Sequence, residues 1–251
     1  MLLEQAVYAS ARTVRMSGYQ LIARSPGISE ELAVRLDQWG PTHGSLDGDD
    51  GDAWALSYFP IGQHWSVLAR TCYGGPEYSE RGGRQVVTRF LVLTTPQSSR
   101  YQHHPLRVFH TASTLGHLRL LPQTSERLPI VELPDEVPYC VQRLLPENGH
   151  SPELLQHAFR QVSLGRSVAL IGVPHPLAAL NYLFDRLPDD QRRELSFSLG
   201  LKVTVRRPAR VYLLSRANPA LRAQLNLMGI ECVSATPAVD PCTPVQLSTA
   251  R

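Results

Sequence analysis

The sequence predicts an α/β (α+β) protein: a mostly antiparallel sheet lobe followed by a smaller α/β lobe. Three observations carry this. The first half holds five β-rich runs separated by turn residues, with one capped amphipathic helix among them. From Ser151 onward, capped helices alternate with short apolar strands, the pattern of parallel pairing. A hydrophobic content of 43% over 251 residues is enough to build a core. The expected divisions are an antiparallel lobe over 1–112, an extended connection over 113–150, an α/β lobe over 151–235 and a flexible tail over 236–251.

In chain order, residues 3–9 (LEQAVYA) and 18–24 (GYQLIAR) read as strands, with Arg12–Ser17 as the turn between them. Ser29 reads as a helix N-cap. Glu30 and Glu31 follow in the first turn, where the helix dipole favours acids, and Gly40-Pro41 ends the helix. Leu32, Leu36 and Trp39 fall on one face of it. Residues 46–52 (LDGDDGD) form an acidic loop. Calcium binding fails there: counting from Asp47, the fifth position is Gly51 and the twelfth is Tyr58, where an EF-hand needs oxygen ligands. Strands are expected at Trp54–Phe59, Trp65–Tyr73 and Gln85–Leu93, with Pro60-Ile61-Gly62 turning the first hairpin and Gly74–Gly83 the second. Part of Gln97–His110 reads as helix, and two short strands are expected at His117–Leu121 and Ile130–Leu133.

The second half opens with Ser151-Pro152-Glu153, an N-cap, a proline at the first helical position and an acid; Gly165 is the stop. Ser167–Val173 is an apolar run suited to burial on both faces. Helices follow at Pro176–Leu187 and Asp189–Glu194, strands at Leu195–Leu199 and Arg210–Leu214, a helix opened by Asn218-Pro219 and a last strand at Ile230–Val233. The tail from Ala235 is rich in proline and is expected to fray.

Several chemistries are disfavoured. No apolar run reaches the roughly 18 residues of a membrane-spanning helix, and the opening residues MLLEQAVYASART lack the basic region of a secretory signal. Lys202, the only lysine among 25 basic residues, lies in SLGLKVTV and not in a P-loop. No G-x-G-x-x-G follows the 167–173 run, and no G-x-S-x-G occurs. Cys72, Cys140, Cys232 and Cys242 form no C-x-x-C pair and read as reduced packing residues. His103, His104, His110 and His117 match no zinc spacing, so no metal site and no cofactor are assigned. No residue set reads as catalytic.

Two basic groups stand out. Residues 195–230 carry Lys202, Arg206, Arg207, Arg210, Arg216 and Arg222 without one Asp or Glu. Either this is an anion-facing surface, or a solvated edge neutralised by Asp185, Asp189, Asp190 or the 47–52 loop. Nucleic acid is the least favoured anion, since only Phe197 and Tyr212 interleave the charges and the net charge is only +3. The second group is Arg81, Arg84 and Arg89, around Gly82-Gly83, whose missing side chains would let backbone approach an anion; a plain hairpin loop is the other reading.

Three blocks, GYQLIARSPGIS, WSVLARTCYGGPEYSERGGRQVVTRFLVL and LPDDQRRELSFSLGLKVTVRRPARVYLLS, occur in an order that resembles the N-terminal domain of bacterial GTPase-associated protein 1. The resemblance spans about the first 235 residues. It implies a cytoplasmic accessory protein encoded with a small GTPase and other partners in a signalling or conflict-type system, and it transfers no catalytic residue. The leading expectation is a non-enzymatic adaptor acting by protein contacts. Its contact residues would be Arg81, Gly82, Gly83, Arg84 and Arg89, with Lys202, Arg206, Arg207 and Arg210. The alternative is a binding protein or enzyme for a phosphorylated small molecule or nucleotide, using the same arginine-rich sites.

Overall fold

The computed structural model describes residues 1–12, 16–48, 52–77, 83–119, 126–136 and 152–234. Among them ten strands join in one mixed sheet with seven helices around it. The expected fold class holds.

The antiparallel set contains β1 (Leu2–Arg12), β2 (Ser17–Arg24), β3 (Trp54–Ile61), β4 (Trp65–Pro76) and β5 (Arg84–Thr94), in the order β3-β4-β5-β1-β2. A two-residue strand, β6 (Val131–Glu132), pairs with the start of β1. The parallel set contains β7 (Ser167–Ile171), β8 (Phe197–Leu199), β9 (Val211–Leu214) and β10 (Ile230–Ser234), in the order β10-β7-β9-β8. The two sets meet edge to edge where β3 pairs antiparallel with β8, Leu56 opposite Leu199 and Tyr58 opposite Phe197. The strand pattern of period two therefore serves one sheet across both halves of the chain.

Alternation sorts the side chains onto two faces. Leu56, Tyr58, Leu68, Leu91 and Leu93 join Val168, Leu170, Val211 and Leu213 on one face. This face is covered by α3 (Pro105–Thr114), α4 (Pro152–Ser163) and α5 (Pro176–Arg186), with the short helices α2 (Thr95–Arg100) and α6 (Asp189–Glu194) beside them. The opposite face has two separate covers. Helix α1 (Glu30–Trp39) packs on Tyr8, Phe59, Val67, Ala69 and Phe90. Helix α7 (Pro219–Leu227) packs through Leu225 on Ala169, Ile171, Tyr212 and Leu214.

Helix α1 begins as its sequence predicts, with the Ser29 hydroxyl accepting from the Leu32 N–H at 3.2 Å and two acids in the first turn. It ends at Gly40, which lies against Tyr8: a Cβ there would sit 2.2 Å from Tyr8 Cζ. Trp39, on its last turn, stacks on Phe59 with ring centroids 3.8 Å apart and planes 3° from parallel.

Three expectations need correction. Strand β3 runs through Pro60, which pairs with Ser66, so the turn moves to residues 62–64. Beyond Tyr58 the β8 side of β3 is unpaired, and a residue without an N–H fits there. The Gln97–His110 segment is helical in part, as expected: two helices are broken at Gln102 and His103, both in the left-handed region (φ 55° and 51°). Residues 117–119 form turns and a bend after α3, not a strand. Strand β7 ends at Ile171, because Gly172 with φ 69° turns the chain ahead of Pro174. The 13–15 turn, Ser151, most of the 113–150 connection and the tail lie outside the described residues. No described helix is long and apolar enough to cross a membrane.

Candidate anion-binding cleft

Between α1 and α7 no described helix covers the sheet. The space is bridged instead by residues 42–48 and 200–207, which meet over an apolar base of Leu46, Ala55, Val86 and Leu201. The bridging segments are tied by backbone hydrogen bonds, Lys202 N–H to the Ser45 carbonyl and Asp47 N–H to the Gly200 carbonyl, both 2.8 Å. The Asp47 carboxylate accepts from the Ser215 N–H at 3.2 Å and from its hydroxyl at 3.0 Å. A cleft of about 970 Å³ opens between these segments and the end of α1.

One wall of the cleft carries Lys202, Arg206 and Arg207. Lys202 and Arg206 are exposed and Arg207 is half-buried. The 204–207 turn that presents the arginines is closed by the Arg207 N–H on the Thr204 carbonyl at 3.2 Å. Among the described residues, no carboxylate forms an ion pair with any of the three cations. Burial lowers the Arg207 pKa, opposed by the nearby Tyr8 and Tyr212 hydroxyls and reinforced by Arg206. A guanidinium drawn partly out of water without a counter-ion is a receptor for an anion.

The other side is built by Tyr8, Tyr19 and Asp37. Tyr8 and Tyr19 stack with centroids 6.0 Å apart and planes at 25°. Tyr8 is only 4% exposed, and its pKa is pushed up to about 12, chiefly by burial and next by Asp37. Its hydroxyl is therefore a donor at any physiological pH. Burial also raises the Asp37 carboxyl, opposed by a hydrogen bond from the Leu21 N–H. Sequence patterning placed Tyr8 in a strand and Asp37 in a helix. It held no signal that both would face a loop some 170–200 residues further along.

Two of the carboxylates expected as neutralisers are engaged elsewhere, and Asp49 and Asp50 lie outside the described residues. Asp185 lies 3.4 Å from both His104 and Arg107, and Asp189 lies 3.4 Å from Arg192. Helix α6, which carries Asp189 and Asp190, is held through Arg192 beside the Gln102 carbonyl.

The other candidate residues divide. Arg81 and Gly82 lie outside the described residues. Gly83 closes its hairpin by accepting from the Glu77 N–H at 2.9 Å. Arg84 is exposed, 5.9 Å from the Tyr73 ring centroid. Its carbonyl is 3.2 Å from His43 Nδ1, so this hairpin adjoins the 42–45 rim of the cleft. Arg89 points to the opposite face. Its Nε and Nη2 donate to Gln5 Oε1 at 3.1 and 2.9 Å, and Nη1 to the Arg119 carbonyl at 2.9 Å. Arg210 reaches the last turn of α4, donating to the Val162 carbonyl at 2.9 Å, where a cation meets the negative end of the helix dipole.

Remaining nucleophile and metal candidates are quiet. Burial raises the Cys72 thiol, against the influence of Arg70, so the reactive thiolate is suppressed. Cys140 and Cys242 lie outside the described residues. His103 bonds Ser98 at 3.1 Å and His104 faces Asp185. No group of three or more His, Cys, Asp or Glu converges on a metal-sized site among the described residues.

Residues 2–134 match the family model for GTPase-associated protein 1, N-terminal domain type 2. The match takes in β1 through β6, and with them the Tyr8, Tyr19 and Asp37 side of the cleft. The 202–207 wall lies beyond it. No curated protein matches the chain.

Proposed function

We propose, because this chain belongs to the GTPase-associated protein 1 N-terminal domain family of type 2, that it is a non-enzymatic adaptor of a GTPase-associated system. It acts in the cytoplasm and holds an acidic surface of its partner against the rim formed by Lys202, Arg206 and Arg84. The partner is the GTPase encoded beside it, or another protein of that gene neighbourhood. One observation carries this reading: Lys202, Arg206 and Arg207 gather on one wall with no carboxylate paired to them among the described residues. Exposed rim charges steer encounter and set orientation, and arginine's planar fork pairs bidentately with carboxylates.

Co-purification of the full chain with the neighbouring GTPase tests this. The complex is expected to weaken as salt rises from about 0.05 to 0.3 M, because exposed charges are screened over about 10 Å at 0.1 M. Lys202→Glu with Arg206→Glu is expected to abolish it while thermal unfolding stays unchanged, since both side chains are exposed. A complex that survives this double reversal at low salt refutes the assignment.

A further inference from the structure

The inner part of the cleft, behind the rim, has the features of a small-molecule site. We propose that Arg207 and the Tyr8 hydroxyl hold the phosphate of a phosphorylated, hydroxyl-bearing small molecule, a sugar phosphate or nucleotide, between α1 and the 202–207 loop. This goes beyond partner docking, and the two side chains that hold the phosphate, Arg207 and Tyr8, are not those of the exposed rim.

The argument has four parts. The cleft, at about 970 Å³, lies within the roughly 300–1,000 Å³ of ligand sites and has room for more than a bare ion. Arg207 is half-buried and has no ion pair or side-chain hydrogen bond among the described residues. Its fork presents several N–H donors in one plane, the geometry that matches phosphate oxygens. Tyr8 is an independent observation. It is 96% buried (4% exposed), it lines the same cleft, and its hydroxyl makes no hydrogen bond with any described residue. The ring is buried while the hydroxyl opens on the cleft, where it can donate to an acceptor that enters. Finally, the lining sets one carboxylate, Asp37, against three cations. The balance suits a ligand with a negative end and hydroxyls: phosphate oxygens accept from Arg207 and Tyr8, and sugar hydroxyls donate to Asp37. Lys202 and Arg206 add to the positive field at the mouth.

Calorimetric titration of the full chain at low salt tests the site, with pyrophosphate, ribose 5-phosphate, a panel of nucleoside triphosphates and sulfate as probes. At least one phosphorylated probe is expected to bind and to raise Tm with concentration. Binding of ribose 5-phosphate or nucleotide tighter than that of pyrophosphate supports a site that reads hydroxyls as well as phosphate. Tyr8→Phe, which keeps the ring, is expected to weaken it about tenfold, and Arg207→Gln by tenfold or more, the size of hydrogen bonds to a charged group. Circular dichroism checks that both variants fold. Tyr8→Phe is expected to leave co-purification with the GTPase unchanged, so failure of docking and failure of ligand binding are told apart. The site is refuted if no phosphorylated probe binds, if sulfate binds as tightly as the best of them, if pyrophosphate outcompetes every hydroxyl-bearing probe, or if both variants bind like the wild type.

Discussion

The backbone N–H of Lys202 donates to the carbonyl of Ser45 at 2.8 Å, so the basic wall of the cleft is fixed to the loop that follows α1. The neighbouring bond, Asp47 N–H to the Gly200 carbonyl, depends on a backbone that only glycine adopts easily. Gly200 has φ 73°, and a Cβ there would lie 2.5 Å from the Trp54 carbonyl oxygen. Gly200→Ala is expected to destabilise the protein by about 2–3 kcal/mol, read as a lower urea midpoint. It should also loosen the 202–207 wall and weaken anion binding. An unchanged midpoint would show that this junction does not hold the two segments together.

Arg89 tests the division between the two faces. Its place beside Arg81 and Arg84 in the sequence suggests a contact residue, but its three side-chain hydrogen bonds go to Gln5 and Arg119 on the face away from the cleft. Gln5 is 2% exposed, so Arg89→Ala leaves a buried acceptor unsatisfied. The expected cost is about 1–3 kcal/mol of stability, with co-purification and ligand titration unchanged below the unfolding temperature. Loss of binding at wild-type stability would return Arg89 to the recognition surface.

These two residues also show what the sequence could and could not reveal. Period-two alternation, Ser29 and Asn218 as caps, and glycine stops fixed nearly every strand and helix, because those signals act within a few residues. Gly200 and Arg89 were decided by long-range pairing. The β3–β8 contact turns the 195–210 segment into the neighbour of Trp54 and Leu46, and no local pattern encodes which sheet edges meet. For the same reason Lys202, Arg206 and Arg207 were legible as a charge cluster, while Tyr8 and Asp37 opposite them were not. Arg210 belongs to the same cluster in sequence, yet it turns to α4 because a helix C-terminus lies within its reach.

The histidines predict an acid limb in stability. Burial lowers the pKa values of His103, His104 and His110. His104, 1% exposed, is faced by Asp185, Arg107, Arg192 and His110. A base with a lowered folded pKa stays neutral while the unfolded chain protonates near pH 6.5. Its contribution is full above that pH and falls as the pH drops below it, by up to about 1.4 kcal/mol per pH unit for each such group. Asp185 acts later. Burial pushes its carboxyl up, but the contact with His104, with Arg107 and Arg192, outweighs this and holds it low. Its contribution is present above its ordinary pKa, near 3.9, and is lost below. Urea midpoints should therefore fall between pH 7 and 5 and again below 4, with His110→Gln flattening the first step. A midpoint constant from pH 7.5 to 5 contradicts this.

Gly40 and Tyr8 give the sharpest coupling between fold and site. Gly40 has φ −61°, so its backbone suits any residue; what it lacks is room. A Cβ would meet Tyr8 Cζ at 2.2 Å and both Cε atoms at 2.4 Å. Gly40→Ala must displace either the Tyr8 ring or the end of α1, and both carry cleft groups. The expected cost is about 1–3 kcal/mol, the range of overpacked cores, together with loss of phosphate-ligand binding. Because the clash is with one ring, it should vanish when that ring is removed. In a double-mutant cycle, Gly40→Ala in a Tyr8→Ala background should cost about 1 kcal/mol less than in the wild type or lower still, the coupling expected of residues in direct contact. Additive costs would place the strain of Gly40→Ala somewhere other than Tyr8, and would detach the end of α1 from the ligand site.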